Sequence, residues 1–212
     1  MGLIDNTRRV RELMAAGMDE HIGDIAILKM DAVSMRARPE HRAALEPMVG
    51  RPVDIDLDRL AALPEGTYGR AVADFMRDND LQPFVFTDEI SPEMRRRNAF
   101  GIRVAQTHDL IHVLTGFDTS WPGEMGVYAV QYAQRWSAWS PWLALATWLI
   151  YPFLTGFQLS RLVRAWRRGV AQGRQAPFLL GERLEHHFDE PLDRLRQRYG
   201  LDDPPAASRD AA

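Results

Sequence analysis

Apolar residues recur at helical spacing along most of the chain. The stretches "DIAILKMDAVSM" and "HRAALEPMVG" carry this pattern within residues 1–50, and Gly50 with Pro52 predicts where that region ends. The stretch "LDRLAALPEGTYGRAVADFMRDND" predicts two helices joined by a Pro–Gly turn, with Thr67 as the second N-cap. Its inward-facing positions are Leu60, Val72, Phe75 and Met76. Only "LQPFVFTDEI" is typical of an extended segment and no segment alternates for long, so the pattern predicts an all-α fold.

The clearest predicted helix runs from Ser91 to Gly116. Ser91 suits the N-cap, Pro92 suits the first helical position, and apolar periodicity continues to the glycine. The arginines 95–97 lie near its start. A solvated face is the simplest interpretation of this run, and contact with anionic headgroups or a partner is the alternative.

Residues 136–160, "WSAWSPWLALATWLIYPFLTGFQLS", contain no charged side chain and carry four of the six tryptophans. A bilayer-spanning helix needs about 20 apolar residues, so length alone allows one. Pro141, Pro152 and Gly156 interrupt the segment, which favours two short pieces instead. Such pieces form either a hairpin in the core or a surface at the bilayer interface or around an apolar ligand, because tryptophan favours such boundaries.

The C-terminal stretch "GERLEHHFDEPLDRLRQRYG" is amphipathic, and Gly200 predicts its end. Its apolar face comprises Leu184, Phe188, Leu192, Leu195 and Tyr199. His186 and His187 are adjacent and cannot share a helical face, so we expect both on the surface. With no internal repeat, the chain is predicted to form a single mainly helical domain over residues 1–203, followed by a disordered tail over residues 204–212.

The composition of the 212 residues is that of an ordinary soluble protein. Hydrophobic residues make up 46% and the formal net charge is −3, so the basic excess of a nucleic-acid-binding protein is missing. The absence of cysteine excludes disulfides, thiolate metal sites and a cysteine nucleophile, so any metal must be bound by His, Asp or Glu. The N-terminus, "MGLIDNTRRVRELM", has no apolar stretch of signal-peptide length, which predicts a cytoplasmic protein.

A candidate metal site lies in the stretch "HDLIHVLTGFDTSWPGE". His108 and His112 are four residues apart on the predicted helix, so they extend its apolar face and can reach one ion together. Asp109 is turned by about 100° from His108, so it either reaches the ion from the side or orients a ligand. If the helix continued straight, Glu124 would lie about 18 Å beyond His112 along the helix axis and could not reach the same ion. The breakers Gly116 and "SWPGE" therefore predict a chain reversal, after which Glu124 opens the helix "GEMGVYAVQYAQRW".

Two neutral imidazoles with one or two carboxylates suit Zn, Fe, Mn or Co better than Mg or Ca. The alternative is that both histidines are satisfied core residues without a metal. The zinc-peptidase motif HExxH is not matched, because its glutamate is replaced by Asp109. A phosphohydrolase of the adjacent His–Asp kind would need a further upstream histidine, and only His21 and His41 lie upstream, in unrelated segments.

His108-Asp109-x-x-His112, followed by eleven residues and Glu124, resembles the HDxxH-x11-E signature of the coenzyme Q (ubiquinone) biosynthesis family Coq-four. Two more segments resemble that family: Leu63-Pro64-Glu65-Gly66-Thr67 through Gly69-Arg70, and Gly173-Arg174 with Ala176-Pro177 before "LDRLRQRYGL". The resemblance covers roughly residues 57–201, with three motifs in matching order.

The resemblance implies a mainly helical protein, peripheral at the inner face of the cytoplasmic membrane, with a divalent metal between its helices. The metal ligands would be His108, Asp109, His112 and Glu124, and the same residues would be catalytic. Zinc is the first candidate metal, with iron, manganese or cobalt as alternatives. Members of the family are linked to removal of the C1 carboxylate from a polyprenylated benzoate-type ring, with hydroxylation at the same carbon.

The partners that the resemblance implies are a polyprenylated aromatic lipid, other ubiquinone-biosynthesis proteins and the membrane surface, with a homodimer as a further expectation and no nucleic acid. The first functional hypothesis is a metal-dependent oxidative decarboxylase of a polyprenyl hydroxybenzoate. The second is a non-catalytic lipid-binding scaffold that organises the other enzymes around a structural metal. A metal-dependent hydrolase of lipid phosphates is the third.

Overall fold

The computed structural model describes residues 3–16, 22–51, 53–84, 87–88 and 90–201. Within these residues it contains α-helices and short 3₁₀ turns but no β-strand, so the all-α prediction is confirmed. The α-helices of this part of the chain are α1 (Leu3–Ala16), α2 (Ile22–Ala32), α3 (Arg42–Leu45), α4 (Leu57–Ala61), α5 (Tyr68–Asp78), α6 (Pro92–Arg97), α7 (Ala99–Thr115), α8 (Trp121–Ala133), α9 (Ser140–Leu154), α10 (Leu159–Gln175) and α11 (Leu192–Tyr199).

Helix α7 lies at the centre of the molecule, because it contributes to both hydrophobic clusters. The larger cluster joins α7 to α5, α8 and α11 through fully buried side chains such as Leu110 and Leu114. The smaller cluster joins α1, α2 and α6, and Ile102 of α7 packs against it. Each fully buried aliphatic side chain stabilises the fold by about 1.5–3 kcal/mol. The helix that carries both histidines is therefore held on two sides.

The turn before α5 forms as the sequence predicts. Thr67 caps the helix, its hydroxyl accepting a hydrogen bond from the Arg70 amide. Gly66 has a left-handed φ of 81°, and a Cβ on Gly69 would lie 2.8 Å from the Cβ of Phe188. The hydroxyl of Tyr68 donates a 2.7 Å hydrogen bond to the Leu110 carbonyl, so this turn is attached to α7.

The predicted helix from Ser91 to Gly116 is wrong in one respect, because the chain breaks it into α6 and α7 at Asn98. Asn98 is fully buried and leaves helical geometry at φ −114° and ψ 32°. Its side-chain amide donates to the Ile27 carbonyl and its oxygen accepts from Arg36. These tertiary partners compete with the helical backbone, and apolar periodicity does not reveal them.

The solvated-face interpretation of the arginines 95–97 is wrong for two of them. Arg95 donates to the carbonyls of Ile90 and Thr87. Arg97 forms an ion pair with the buried Asp31, with 2.6 Å between Nη2 and Oδ2. Only the middle residue of the run is exposed. Arg97 therefore fastens α6 to α2, and Arg95 fastens it to the segment that precedes it.

The two-piece interpretation of residues 136–160 is also wrong, because residues 140–154 form the single helix α9. Pro141 lies in its first turn, where no helical donor is lost, and Pro152 is accommodated near its end. Most of its large apolar side chains are exposed, so the core hairpin is not formed. Among the residues that the structure describes, no helix has both the length and the apolar character needed to cross a membrane.

The remaining predictions differ mainly in their boundaries. Helix α8 begins at Trp121, two residues before the predicted start. The C-terminal helix is limited to α11, because 3₁₀ turns and Pro191 precede it. The segment 81–90 carries no strand where it is described. The predicted tail lies outside the described residues.

Candidate metal centre

Two histidines on α7 face one another as their spacing predicts. The Nε2 atoms of His108 and His112 are 3.1 Å apart, and the two rings meet edge to face at 79°. The side chain of His112 is almost completely buried, whereas that of His108 is 35% exposed. One imidazole is therefore fixed in the core while the other borders the outside.

Glu124 reaches the histidines because the chain reverses between α7 and α8. Gly116 ends α7 in the left-handed conformation, and Ser120 caps α8 by accepting a hydrogen bond from the Gly123 amide. A Cβ on Gly123 would lie only 2.0 Å from the Asp118 carbonyl oxygen, so no larger side chain fits there. Glu124 consequently lies in the first turn of α8, where the helix dipole also favours its negative charge.

Three donor groups converge on one point. The Glu124 carboxylate spans the histidine pair, with Oε2 3.4 Å from His108 Nε2 and Oε1 3.3 Å from His112 Nε2. One ligand atom from each residue lies within 4.8 Å of the others. Donors bonded to a tetrahedral zinc ion at about 2.0–2.1 Å lie about 3.3–3.4 Å apart. The donor set and its spacing therefore fit a zinc-like metal ion.

The tautomer of His112 is fixed by the backbone. Its Nδ1–H donates a 3.2 Å hydrogen bond to the Phe117 carbonyl, so Nε2 is the ring nitrogen that faces His108 and Glu124. Phe75 stacks on the same ring with 5.7 Å between centroids. The guanidinium of Arg168 lies 4.5 Å above the Phe117 ring. These contacts orient one potential ligand before any metal arrives.

The electrostatics of the group couple all three side chains. Burial opposes ionisation of Glu124, but hydrogen bonds and charge from both histidines outweigh it and lower its pKa to about 2. Burial alone would lower the pKa of His108, yet the bond to Glu124 and the charge of Asp109 raise it above the usual range. The glutamate is thus held as an anion, as a metal ligand must be.

Asp109 lies outside the converging group. Burial raises the pKa of its carboxyl above the usual range, and the charge of Glu124 acts in the same direction. It interacts electrostatically with His108, His112 and Glu124, so it is near them without joining the ligand atoms that face each other. This position is that expected for a group that assists the ligands, and its ligation stays a prediction.

The end of α7 is held by side chains from two other helices. Arg196 of α11 donates to the carbonyls of Val113 and Leu114. Gln172 of α10 donates a 3.0 Å hydrogen bond to the Thr115 carbonyl. Helix C-terminal carbonyls lack partners within the helix, so these bonds satisfy groups that burial would otherwise penalise. They also fix the helical turn that carries His112.

The other histidines lie apart from this group. His41 stacks on Phe178 with 3.9 Å between ring centroids and bonds the Gln134 carbonyl. His186 is exposed, as predicted, but His187 is partly buried and its Nδ1 lies 2.6 Å from Glu190. His21 lies outside the described residues.

Several neighbours of the centre were not identified from the sequence. Phe75 had been predicted only as a core residue, and Phe117 enters through its carbonyl, which no side-chain pattern marks. Tyr151 of α9 has a raised pKa, caused by burial and then by the charge of Glu124. Its ring meets Trp121 at 5.1 Å between centroids, so α9 approaches the centre through an aromatic pair.

The fold and the site define a helical protein with a candidate two-histidine, one-glutamate metal centre between neighbouring helices. The sequence profile described as "Coenzyme Q (ubiquinone) biosynthesis protein Coq4" matches residues 2–205. The chain belongs to this family of ubiquinone biosynthesis proteins. The matched range also includes residues 2–56, which lie outside the three motifs that resemble the family.

Similar proteins agree with this assignment. The mitochondrial ubiquinone biosynthesis protein COQ4 homolog of Nematostella vectensis is 31% identical over 160 residues, covering 69% of this chain and 71% of that protein. The Bos taurus homolog is 29% identical over 162 residues, covering 71% of this chain but only 56% of its own length. A crystal structure of a provisionally assigned ubiquinone biosynthesis protein from Nostoc punctiforme has a TM-score of 0.60 at 25% identity, covering 94% of this chain and 90% of that one.

Proposed function

We propose that this chain is a metal-dependent enzyme of ubiquinone biosynthesis that removes the C1 carboxylate of a polyprenyl hydroxybenzoate-type precursor and hydroxylates the same carbon. The observation that carries the proposal is the convergence of His108, His112 and Glu124 at a place that remains accessible. The Glu124 side chain is 28% exposed, so a substrate can approach the open side of the group. Membership of a ubiquinone biosynthesis family supports a ubiquinone precursor as the substrate.

His108, His112 and Glu124 would hold the metal, and Asp109 would lie beside them. Three protein ligands with a free position are typical of catalytic sites, whereas structural sites are usually closed by four. A bound divalent metal would supply positive charge for the ring carboxylate and, if it is iron, manganese or cobalt, a route to activate oxygen. Zinc is redox-inert, so with zinc the electron-rich ring itself must react with oxygen.

The proposed reaction balances with dioxygen as the oxidant and an external two-electron donor. The bond between C1 and the carboxyl carbon breaks and carbon dioxide leaves. A bond forms between C1 and one oxygen atom, and the second oxygen atom becomes water after taking up two electrons and two protons. The protein's own part is to orient the ring and exclude water.

The residues around the centre are suited to orienting the ring and excluding water. The bond from His112 to the Phe117 carbonyl fixes one ligand, so the geometry of the site does not have to be rebuilt for each turnover. Phe75 stacks on the His112 ring and Tyr151 interacts with the charge of Glu124, so these two aromatic side chains would form walls of a substrate site beside the charged groups. An aromatic substrate would pack against such walls while its carboxylate faces the ligands.

A second candidate function is a non-catalytic scaffold that binds polyprenyl lipids and other ubiquinone-biosynthesis proteins. The exposed apolar side chains of α9 favour it, because a large uncovered apolar surface indicates an interaction site. The scaffold and the enzyme differ in one measurable respect. Only the enzyme converts substrate when it is purified alone.

The decisive experiment combines elemental analysis with product analysis. Protein purified without added metal should contain close to one equivalent of a transition metal, and His108→Ala and Glu124→Ala should lose it while circular dichroism shows that they fold. His186→Ala removes an exposed histidine away from the centre and should keep the metal.

With a polyprenyl hydroxybenzoate, dioxygen and a reductant, the wild type should release carbon dioxide and form the hydroxylated ring, and Glu124→Ala should not. Metal binding without any product would favour the scaffold. Product formation by a folded Glu124→Ala variant would contradict the proposal.

A further inference from the structure

A cavity lies on the side of α7 that faces away from the histidines. Four residues of α7 line it at helical spacing, namely Ala99, Ile102, Arg103 and Gln106. Gln106 precedes His108 by two positions, which is a turn of about 200° around the helix axis, so the cavity and the candidate metal centre lie on nearly opposite sides of α7. The volume of the cavity is about 190 Å³. Sites for drug-sized molecules measure about 300–1,000 Å³, so this one suits a smaller ligand.

Gln106 gives this cavity a buried polar group. The residue is only 6% exposed, and its side-chain amide has no hydrogen-bond partner among the residues that the structure describes. Burying a polar group without a partner destabilises a fold, so such a group in a native protein usually meets a water molecule or a ligand. The amide offers two N–H donors and one carbonyl acceptor to a molecule in the cavity.

The charge around the cavity is positive. Three arginines line it, and its described lining residues include no aspartate or glutamate. The charge of Arg103 is balanced by Glu185, with 2.9 Å between Nη2 and Oε2. Arg95 donates to two backbone carbonyls, which hold its guanidinium in place. Arg51 is exposed and forms no ion pair within the described part of the chain. Such a lining favours a negatively charged ligand.

The turn before Arg51 holds that residue beside an apolar wall. Gly50 has a left-handed φ of 73°, and the Arg51 amide donates a 3.1 Å hydrogen bond to the Met48 carbonyl. The side chains of Met48 and Ile102 line the same cavity. One negative group and a small apolar body would therefore both find partners there.

The neighbouring cavity does not suit an anion. It has a volume of about 270 Å³ and shares Arg51 with the first cavity, but Asp54 and Glu185 also line it. Placing a negative ligand against carboxylates is unfavourable. An anion that Arg51 attracts is therefore expected on the side of Gln106.

We propose that the cavity beside Gln106 is a second binding site, which takes a small organic carboxylate with an apolar body of about one ring. Arg51 and Arg95 supply positive charge for the carboxylate, and the Gln106 amide donates to one of its oxygens. Met48 and Ile102 cover the apolar body. The site is independent of the metal ligands and of the proposed reaction.

Isothermal titration calorimetry of the full chain with benzoate tests this site. Benzamide has the ring without the charge and acetate has the charge without the ring, so each should bind at least about tenfold more weakly than benzoate. Arg51→Gln and Gln106→Leu should each weaken benzoate binding about tenfold, because a hydrogen bond to a charged group is lost. Arg194→Gln removes the same charge from an exposed position on α11 and should bind benzoate as the wild type does.

Glu124→Ala separates this site from the candidate metal centre, where a carboxylate could bind to the metal instead. The variant should lose its metal and keep its affinity for benzoate. The inference is overturned if Glu124→Ala loses benzoate binding while Arg51→Gln and Gln106→Leu retain it. It is also overturned if the wild type does not bind benzoate, or if inorganic phosphate binds as tightly, because the apolar wall would then play no part. Arg51 is exposed, so Arg51→Gln remains informative even if circular dichroism shows that Gln106→Leu does not fold.

Discussion

At the scale of single residues, the candidate centre depends on a glycine, which has no side chain, as well as on the side chains that converge there. Gly126 of α8 lies directly against Phe117, and a Cβ at this position would be 2.2 Å from the ring. The Phe117 carbonyl in turn fixes the tautomer of His112. The absence of a side chain on α8 is thereby linked to the orientation of a ligand on α7.

Gly126→Ala should therefore displace Phe117 and weaken metal binding. Overpacking of this kind costs about 1–3 kcal/mol of unfolding free energy. Denaturant unfolding and metal titration measure the two effects. In a Phe117→Leu background, which removes the ring, the same substitution should cost much less. An equal cost in both backgrounds would show that the ring is not what the glycine accommodates.

At the scale of elements, Asp31 at the end of α2 joins three helices. Its carboxylate accepts hydrogen bonds from Asn6 of α1 and Arg97 of α6, and it also pairs with Arg36. Burial opposes its ionisation, but these partners lower its pKa below the usual 3.8. The buried carboxylate therefore holds the N-terminal helices against α6, beside the break at Asn98.

The lowered pKa predicts how stability varies with pH. A depressed carboxyl contributes its full stability above the unfolded pKa of about 3.9 and loses it as the pH falls through the lower folded pKa. Asp31→Asn should cost about 2 kcal/mol at neutral pH, because hydrogen bonds to a charged group are lost. The difference from the wild type should shrink below about pH 3.9. Denaturant unfolding at several pH values measures it, and a constant difference would refute the role of the charge.

The elements also show what apolar periodicity can predict. It located the helix that carries the histidines and the turn before α5, because both follow from spacing and local capping. It missed the break at Asn98, whose partners Ile27 and Arg36 are distant in the sequence. It also divided α9 at Pro152, which the helix accommodates in its last turn.

At the scale of the whole molecule, metal binding should join α7 to α8 and raise thermal stability. Saturation at 100 times the dissociation constant adds about 2.7 kcal/mol, because the metal binds only the folded state. For a chain of this size that corresponds to a rise in Tm of about 5–10 °C. Calorimetry of stripped protein with and without zinc measures it.

Glu124→Ala and His112→Ala should show little of this rise, whereas His186→Ala should show all of it. Substituting His112 also removes a buried side chain, so its starting Tm is expected to be lower. A rise in Tm that persists in both site variants would mean that the metal binds elsewhere.

The sequence by itself determined the helical class, the family and the residues of the candidate centre. Each of these depends on residue type and on short spacing, which a single helix or turn converts directly into position. The tertiary structure decided that the Glu124 carboxylate spans both imidazoles, that the Phe117 carbonyl orients His112, and that α9 turns most of its large apolar side chains outward. These features depend on contacts between elements far apart in the chain, and no local pattern records the direction in which one helix meets another.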